Sequence, residues 1–284
     1  MSLSLDDSLV DVVWLHQHLQ DPDLIIFDAS WHMPAAARNG LAEWRQQRIP
    51  GARYFDFDGR ICQPDSPLPH MMPDESRFSD EVRLLGLNHD SAVVIYDSLG
   101  LFSSPRVWWM LRSMGFENCA ILDGGLPAWL AAGYATDDAD VVESFANGDF
   151  VARFDARLFS DAKAVLAALD DRTSLVLDAR PGVRFRGEVA EPREGLRMGH
   201  MPGSLNLPFS DLCVDGRLKT KAELQAIFSN LPFSGDRVIF SCGSGITACV
   251  IAFAAHHIGY ENLSVYDGSW CEWGLPGELP VVKG

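Results

Sequence analysis

The stretch that decides the fold is residues 237–255, RVIFSCGSGITACVIAFAA. It begins with a short β-branched run that ends at Ser241, passes through a glycine-containing turn, and continues as an apolar segment of helical length. A buried strand that leads directly into a helix is the repeating unit of proteins in which helices cover a parallel sheet. The sequence therefore predicts an α/β fold with Cys242 at the turn from strand to helix.

A second copy of this pattern lies earlier in the chain. The segment SAVVIYDSLGLFSSPRVWWML, residues 91–111, aligns with residues 235–255 at a constant offset of 144, which places Ser98 at the position of Cys242. The same offset pairs further residues downstream, namely Asp123 with Asp267, Gly124 with Gly268, and Trp129 with Trp273. An offset that holds over so many positions indicates an internal duplication.

The duplication predicts two α/β domains, each a mostly parallel sheet flanked by helices. A chain of 284 residues is also the right length for two domains of ordinary size. We assign residues 1–137 to a non-catalytic N-terminal domain, residues 138–157 to a linker, and residues 158–284 to a catalytic C-terminal domain. The linker is placed there because its acidic sequence lacks the periodicity of a helix or a strand.

Charge and composition argue against several classes of partner and cofactor. The net charge of −16 repels phosphate backbones and anionic lipid heads, so we expect no nucleic acid and no membrane as partners. The N-terminal residues lack the basic and apolar pattern of a secretory signal, which predicts a cytoplasmic protein with reduced cysteines. No cysteine or histidine pair has zinc-ligand spacing, so we expect neither a metal nor another cofactor.

Cys242 has the sequence surroundings of a nucleophile. Gly243 and Gly245 allow the loop to curl with its amide N–H groups inward, and the helix that follows adds partial positive charge. Both effects favour a thiolate over a thiol, and both suit a persulfide anion. The alternative is a small buried residue at a strand end, and we prefer that interpretation for the remaining cysteines, which are Cys62, Cys119, Cys213, Cys249 and Cys271.

The CGSGIT loop between a strand and a helix resembles the active-site loop of the rhodanese superfamily. The tandem arrangement, with a cysteine only in the second copy, is also similar to that family. Within it, the loop resembles that of 3-mercaptopyruvate sulfurtransferases, whereas thiosulfate-specific members carry basic residues where Gly243 and Ser244 stand here. The resemblance implies that Cys242 takes sulfur from 3-mercaptopyruvate, releases pyruvate, and passes the sulfur to a small thiol, a thioredoxin-like protein or cyanide.

The resemblance also implies which residues bind the substrate. Arg184 and Arg193 correspond to the two family arginines that hold the carboxylate and ketone, although Val183 and Ala190 depart from the family motifs around them. An arginine fork suits a carboxylate because it can donate two parallel hydrogen bonds. The loop residues expected to contact the substrate and the persulfide are Gly243, Gly245, Ile246 and Thr247.

A proton relay is implied for the pyruvate enolate that the reaction leaves behind. The family resemblance assigns this role to Ser244, His70 and Asp58, with Asp orienting His and His moving the proton. Asp56 could take the place of Asp58, and Ser244 could simply fill the loop.

Three other functions remain open at this point. The chain could prefer thiosulfate as its sulfur donor, or it could be a sulfur-carrier or interaction module with little turnover. Cysteine-dependent phosphatases use a similar loop but need an arginine six residues after the cysteine, where this chain has Ala248. Phosphatase activity is therefore the weakest of the three.

Overall fold

The structure is a computed structural model that describes residues 2–138, 145–171, 173–233 and 235–284. These residues form two compact units. The first unit comprises the described residues of 1–65, 72–155 and 215–218, and the second those of 66–71, 156–214 and 219–284. Residues 66–71 thus group with the second unit, although they lie inside the range predicted for the first domain. The predicted linker falls partly on residues 139–144, which lie outside the described residues.

The first unit is built on a five-stranded sheet in which every neighbouring pair of strands is parallel. The strand order across the sheet is β1-β5-β4-β2-β3. The strands are β1 (Leu9–Val10), β2 (Leu24–Asp28), β3 (Arg53–Tyr54), β4 (Ala92–Tyr96) and β5 (Cys119–Leu122). The helices are α1 (Val12–His18), α2 (Gly40–Gln46), α3 (Glu75–Leu84), α4 (Ser104–Ser113) and α5 (Gly125–Ala131).

The second unit repeats this topology. Its main sheet has the order β6-β12-β11-β7-β8, again with all neighbouring strands parallel. In chain order the strands after residue 156 are β6 (Phe159–Ser160), β7 (Ser174–Asp178), β8 (Leu205–Asn206), β9 (Cys213–Val214), β10 (Arg217–Leu218), β11 (Arg237–Ser241) and β12 (Leu263–Tyr266). The helices are α6 (Ala162–Leu169), α7 (Gly182–Phe185), α8 (Lys221–Ser229), α9 (Ala248–His257) and α10 (Ser269–Trp273). The predicted α/β fold with two parallel, helix-flanked sheets is confirmed.

The central strands carry continuous apolar runs because both of their faces are covered. All five residues of β4 are buried, and so are the last four of β11. Helix α9 packs on the second sheet, and its first eight residues are all buried. Its sequence is therefore apolar on every side until the two histidines of the last turn. Among the described residues, no helix has both the length and the apolar character needed to cross a membrane.

The duplicated tryptophans anchor equivalent turns in the two cores. Trp129 and Trp273 are fully buried, and the indole N–H of each donates to a carbonyl oxygen at 2.8 Å, that of Ala135 or Pro280. Buried indoles usually find such an acceptor. In the second unit this fixes helix α10, which lies directly beside the loop that carries Cys242.

Candidate active site

Cys242 lies at the carboxyl end of the central strand of the second sheet. Strand β11 runs between β12 and β7, with Ser241 paired in register with Asp178. The start of α10 holds the turn, because Ser269 Oγ accepts the Cys242 N–H at 3.1 Å and the Trp270 N–H donates to the Cys242 carbonyl at 3.0 Å. Cys242 is therefore fixed at the change from strand to helix, with 2% of its surface exposed.

The loop after Cys242 carries main-chain donors that no other group uses. Within the described ranges, the N–H groups of Gly243, Ser244, Ile246 and Thr247 donate to no acceptor. Gly245 has φ of +80°, a left-handed conformation that glycine adopts without strain and that curls the loop. The ten-residue helix α9 begins at once and adds the positive end of its dipole. Unused donors beside a helix N-terminus suit a negatively charged sulfur.

The corresponding loop of the first unit has its donors occupied. Asp97 follows β4, and its Oδ2 accepts the N–H groups of Phe102, Ser103 and Ser104 at 2.8–2.9 Å, while Oδ1 accepts that of Leu99 at 2.9 Å. At the offset of 144 these donors correspond to Gly243, Ile246, Thr247 and Ala248, and Asp97 corresponds to Ser241. The hydroxyl of Ser241 is buried and has no hydrogen-bond partner among the described residues. The first loop therefore holds its own anion, and the second does not.

Ser98 also has an acidic neighbour. Its Oγ lies 3.5 Å from both His32 Nε2 and Glu43 Oε2, and Glu43 is paired with Arg38. The hydrogen bond from Arg38, with a smaller contribution from His32, lowers the pKa of Glu43 below its ordinary value. A carboxylate that stays charged beside Ser98 disfavours a second negative charge at this position.

A buried ion-pair network borders the second loop. Arg180 donates to both oxygens of Asp178, to Glu191 Oε1 at 2.9 Å and to the Gly199 carbonyl at 2.9 Å. Its guanidinium also lies 4.0 Å from the ring centroid of Trp270. Burial works against its charge, but the two carboxylates hold the pKa of Arg180 above its ordinary value. Arg180 is fully committed to these contacts, which makes it a support for the site rather than a ligand for substrate.

Arg184 reaches the cysteine loop but is shared with Glu191. Its Nε donates to the two Glu191 oxygens at 3.2 and 3.3 Å, and its NH2 donates to Oε2 as well. A β-carbon added at Gly243 would lie 3.3 Å from the same NH2 group. Arg184 therefore lies against the loop, and Gly243 leaves room for it.

Arg193 and His70 are neighbours within the second unit. Arg193 NH2 lies 3.4 Å from His70 Nε2, and His70 is buried with φ of +59°. Because a guanidinium can only donate, Nε2 accepts in this contact and a neutral ring carries its proton on Nδ1. A buried histidine in a left-handed conformation is uncommon, and such strain is often found at functional sites.

The other two predicted relay residues, Ser244 and Asp58, belong to different units. Ser244 is buried in the Cys242 loop of the second unit. Asp58 belongs to the first unit, where its Oδ2 accepts the indole N–H of Trp31 at 2.9 Å. The second unit thus contains Cys242 and its loop with Arg184 against that loop, and it also contains the contact between Arg193 and His70.

Cys271 is a second thiol beside this loop. Its N–H donates to the Gly243 carbonyl at 2.8 Å, and 5% of its surface is exposed. Burial raises the pKa of the Cys271 thiol above its ordinary value; Cys242 and Glu191 act in the same direction, and Arg193 and Arg184 oppose them. Cys271 is buried, as its sequence surroundings predict, but it lies beside the cysteine loop rather than deep in the core.

Two further residues support the site. Glu191, one of the three acids beside Arg184 and Arg193 that offer an ordinary ion pair as the alternative to substrate binding, does pair with Arg184. Ser269 has φ of +48° and aligns with Gly125, whose φ is +51°. Comparing the two halves of the sequence shows a serine where the first half has a glycine. A serine that adopts a left-handed conformation is strained, so its presence indicates a role for its side chain.

Comparison with known proteins places these features in a family. The model of the rhodanese-like domain matches twice, at residues 11–132 and 161–275. The chain is 42% identical over 270 residues to the 3-mercaptopyruvate sulfurtransferase of Escherichia coli strain K12, covering 94% of this chain and 95% of that one. It is 40% identical over 303 residues to the mitochondrial thiosulfate/3-mercaptopyruvate sulfurtransferase 1 of Arabidopsis thaliana, covering 99% of this chain and 79% of that one.

A solved structure agrees with this placement. The crystal structure of SseA from Escherichia coli, described as a 3-mercaptopyruvate sulfotransferase, has a TM-score of 0.84 at 39% identity and covers 93% of this chain and 99% of its own. Both halves of the sequence match the same family model, and both units have the same strand order. The chain therefore belongs to the rhodanese-like domain family, with two copies of the domain.

Proposed function

We propose that this chain is a 3-mercaptopyruvate sulfurtransferase that carries sulfur as a persulfide on Cys242. The observation that supports this most is the loop at Cys242, where the N–H groups of Gly243, Ser244, Ile246 and Thr247 have no acceptor among the described residues. The same unit places Arg184 against this loop and also contains Arg193. The equivalent loop of the first unit holds the Asp97 carboxylate and has a serine in place of the cysteine. Sulfur transfer accordingly belongs to the second unit.

The first step forms the persulfide. The Cys242 thiolate attacks the sulfur of 3-mercaptopyruvate, and the carbon–sulfur bond of the substrate breaks. The electron pair of that bond passes to the organic fragment, which leaves as the enolate of pyruvate, while the sulfur stays on Cys242. The amides of Gly243 to Thr247 stabilise the negative charge on sulfur before and after this step.

Arg184 and Arg193 bind the carboxylate and ketone of the substrate. Beside the loop, Arg180 and Arg184 are paired with Asp178 and Glu191, and Arg193 has no ion-pair partner among the described residues, so its positive charge is left for a singly charged substrate. Glu191 keeps Arg184 in place and takes up part of its donor capacity. Arg193, which makes the contact with His70, supplies the larger share of the remaining charge.

His70 protonates the departing enolate with the help of Ser244 and Asp58. The position of His70 against Arg193 supports its part, because the arginine is assigned to the substrate. The roles of Ser244 and Asp58 rest on the family resemblance. Loss of pyruvate formation in His70→Asn, with normal binding of substrate, would support the relay.

An acceptor then takes the outer sulfur and regenerates Cys242. Small thiols, thioredoxin-like proteins and cyanide are the acceptors we propose, since each attacks a sulfane sulfur directly. No metal is required by this chemistry, because the thiolate itself is the nucleophile.

Thiosulfate is the rival donor, and one of the relatives bears both donors in its name. The loop favours 3-mercaptopyruvate because Gly243 and Ser244 add no positive charge where a doubly charged donor would need it. Steady-state turnover with each donor, with cyanide as acceptor, separates the two. A kcat/KM for thiosulfate equal to or above that for 3-mercaptopyruvate would contradict the donor assignment.

Mass spectrometry tests the persulfide itself. In protein that is acid-quenched early in the first turnover, before any thiol has attacked the persulfide, we expect a gain of about 32 Da at Cys242. The gain should be absent from Cys242→Ser and unchanged in Cys213→Ser, a matched cysteine outside the loop. If the chain forms no pyruvate and gains no mass, yet binds a partner protein tightly, it is a carrier or interaction module instead.

A further inference from the structure

Cys271 lies beside the cysteine loop through consecutive main-chain contacts. The Trp270 N–H donates to the Cys242 carbonyl at 3.0 Å, and the next N–H, that of Cys271, donates to the next carbonyl, that of Gly243, at 2.8 Å. Two such bonds in succession align residues 270–271 with residues 242–243. These bonds hold the backbone at Cys271 against the residue that follows Cys242, which is the close backbone approach that a disulfide between the two cysteines requires.

The two thiols also share one electrostatic environment. Charges on Arg193, Glu191 and Arg184, and on Cys242 itself, all act on the Cys271 thiol. Both cysteines are buried, with 2% and 5% of their surfaces exposed. A second thiol in a closed site can reach a sulfur that a large acceptor protein reaches only with difficulty.

The ionisation of the Cys271 thiol suits a step that comes after sulfur has been transferred. The pKa of Cys271 is raised, mainly by burial, so this residue stays a protonated thiol at neutral pH. A protonated thiol does not compete with Cys242 for the sulfur donor. It can still attack afterwards, provided that its proton passes to the outer sulfur as that sulfur leaves.

We propose that Cys271 is the resolving thiol of Cys242, an inference that rests on the function proposed above. Sγ of Cys271 attacks Sγ of the Cys242 persulfide, and the bond from Cys242 to the outer sulfur breaks. The outer sulfur leaves as HS⁻ and takes the Cys271 proton to become H₂S, while a disulfide forms between Cys242 and Cys271. The sulfane sulfur is reduced to sulfide, the two cysteines are oxidised, and no further reagent is consumed.

This step gives the protein a second activity, which is release of free sulfide. An external dithiol then reduces the disulfide and becomes a disulfide itself, which restores both cysteines. Without such a reductant the chain stops after one sulfide. The site therefore responds to the supply of dithiol rather than to the sulfur donor alone.

Cys249 is the matched control for this proposal. It is buried like Cys271 and also lies near the loop, but its Sγ donates to the Gly245 carbonyl at 3.2 Å from within helix α9. A linkage that depends on the alignment of residues 270–271 with the loop will survive Cys249→Ser and disappear in Cys271→Ser.

The experiment follows one turnover without an acceptor. Fully reduced wild type, Cys271→Ser and Cys249→Ser are mixed with 3-mercaptopyruvate, and pyruvate, free sulfide and protein mass are measured. Trypsin leaves all three cysteines on one peptide, because no Lys or Arg lies between Arg237 and Lys283. Cleavage at Glu261 by a glutamyl endopeptidase separates Cys271 from the other two, so a linkage is seen directly as two joined peptides.

We expect wild type and Cys249→Ser to release about one sulfide per pyruvate and to lose about 2 Da, with Cys242 joined to Cys271. Cys271→Ser should form the same first pyruvate, keep about 32 Da on Cys242, and release at least tenfold less sulfide. A wild type that keeps the persulfide, or that joins Cys242 to Cys249, would overturn the resolving role while leaving sulfur transfer intact. Failure of all three proteins to form pyruvate would overturn the sulfurtransferase proposal, and the resolving role with it.

Discussion

The two strand-to-helix loops of this chain have the same position in the fold. They differ in whether their main-chain N–H groups have an acceptor. In the first, the Asp97 carboxylate receives four main-chain N–H groups. In the second, Ser241 stands at the equivalent position, and the donors of Gly243, Ile246 and Thr247 have no acceptor within the described residues. The difference shows that one residue at the end of the preceding strand can fill the anion site of this fold with its own side chain.

The energies involved are large enough to matter for chemistry. A hydrogen bond to a charged group contributes about 1.5–3 kcal/mol, and two or three of them acting together shift a reaction rate by orders of magnitude. In the first unit this energy is used in the folded state to hold Asp97. In the second unit the same hydrogen-bond energy is available to stabilise a sulfur anion. The second loop is therefore less stabilised by its own side chains than the first, and it is better suited to bind a reacting sulfur.

The largest expected effect comes from closing the second loop in the same way. Ser241→Asp places a carboxylate where the first unit has Asp97, and we expect kcat/KM with 3-mercaptopyruvate to fall at least about 100-fold, because the anion fills the donors and repels the thiolate. Steady-state kinetics measure this, with thermal unfolding to show that the fold is kept.

Ser241→Ala is the control for that change. The Ser241 hydroxyl is buried without a partner among the described residues, so its removal leaves no broken hydrogen bond. We expect activity within about threefold of wild type. Equal losses in both variants would mean that position 241 acts through packing, and the comparison of the two loops would fail.

A smaller effect is expected at Arg193, one of the two arginines proposed to bind the substrate. Arg193→Ala removes a charged donor next to His70, and we expect kcat/KM to fall by roughly 10- to 100-fold, mainly through KM. Arg186→Ala is the matched control, since Arg186 is exposed and pairs with Glu188 at the surface. A normal KM in Arg193→Ala would move the carboxylate site to Arg184.

Much of this arrangement could be predicted from the sequence because it depends on local patterns. The strand runs, the glycine loop and the offset of 144 are visible without coordinates, and they led to Cys242 and to two α/β domains. The resemblance of the loop then supplied Arg184 and Arg193, which the structure places within one unit.

The rest depends on contacts that sequence spacing does not encode. Asp97 looks like any strand-end acid until its side chain is seen to turn back onto its own loop. Glu191 and Cys271 reach the site from an irregular loop and from a turn after the next strand, so no periodicity connects them to Cys242. Segment 66–71, which carries His70, belongs to the second unit, whose next segment begins only at residue 156.

The smallest expected effect concerns stability and a second pair of equivalent acids, Asp28 and Asp178. Each ends a strand next to the central one, but Asp178 is paired with Arg180, whereas Asp28 has no arginine partner in the part of the chain that the structure describes. Burial raises the pKa of Asp28 from 3.8 to about 6. The folded unit therefore prefers the protonated acid, and stability falls as pH rises from about 4 to about 6 and stays lower above that.

Asp28→Asn removes that loss because an amide is neutral at every pH. We expect the free energy of unfolding of the first unit to rise by about 3 kcal/mol at pH 7 and by little at pH 4, with activity unchanged. Denaturant dependence of hydrogen exchange in β2 and β4 measures this. Asp178→Asn should do the opposite at pH 7, because it leaves Arg180 buried with one partner fewer. Destabilisation by Asp28→Asn at pH 7 would contradict this view of the first unit.

The most direct test compares sulfur reactivity in the two loops. Ser98→Cys places a thiol in the first loop, at a position more exposed than that of Cys242, and alkylation of each site by iodoacetamide at neutral pH can be followed by mass spectrometry. If free main-chain donors stabilise the thiolate, Cys242 reacts at least about tenfold faster despite its burial. If the introduced thiol reacts as fast or faster, then solvent exposure decides the reactivity of the thiol. Whether the main-chain N–H groups of the loop have an acceptor does not.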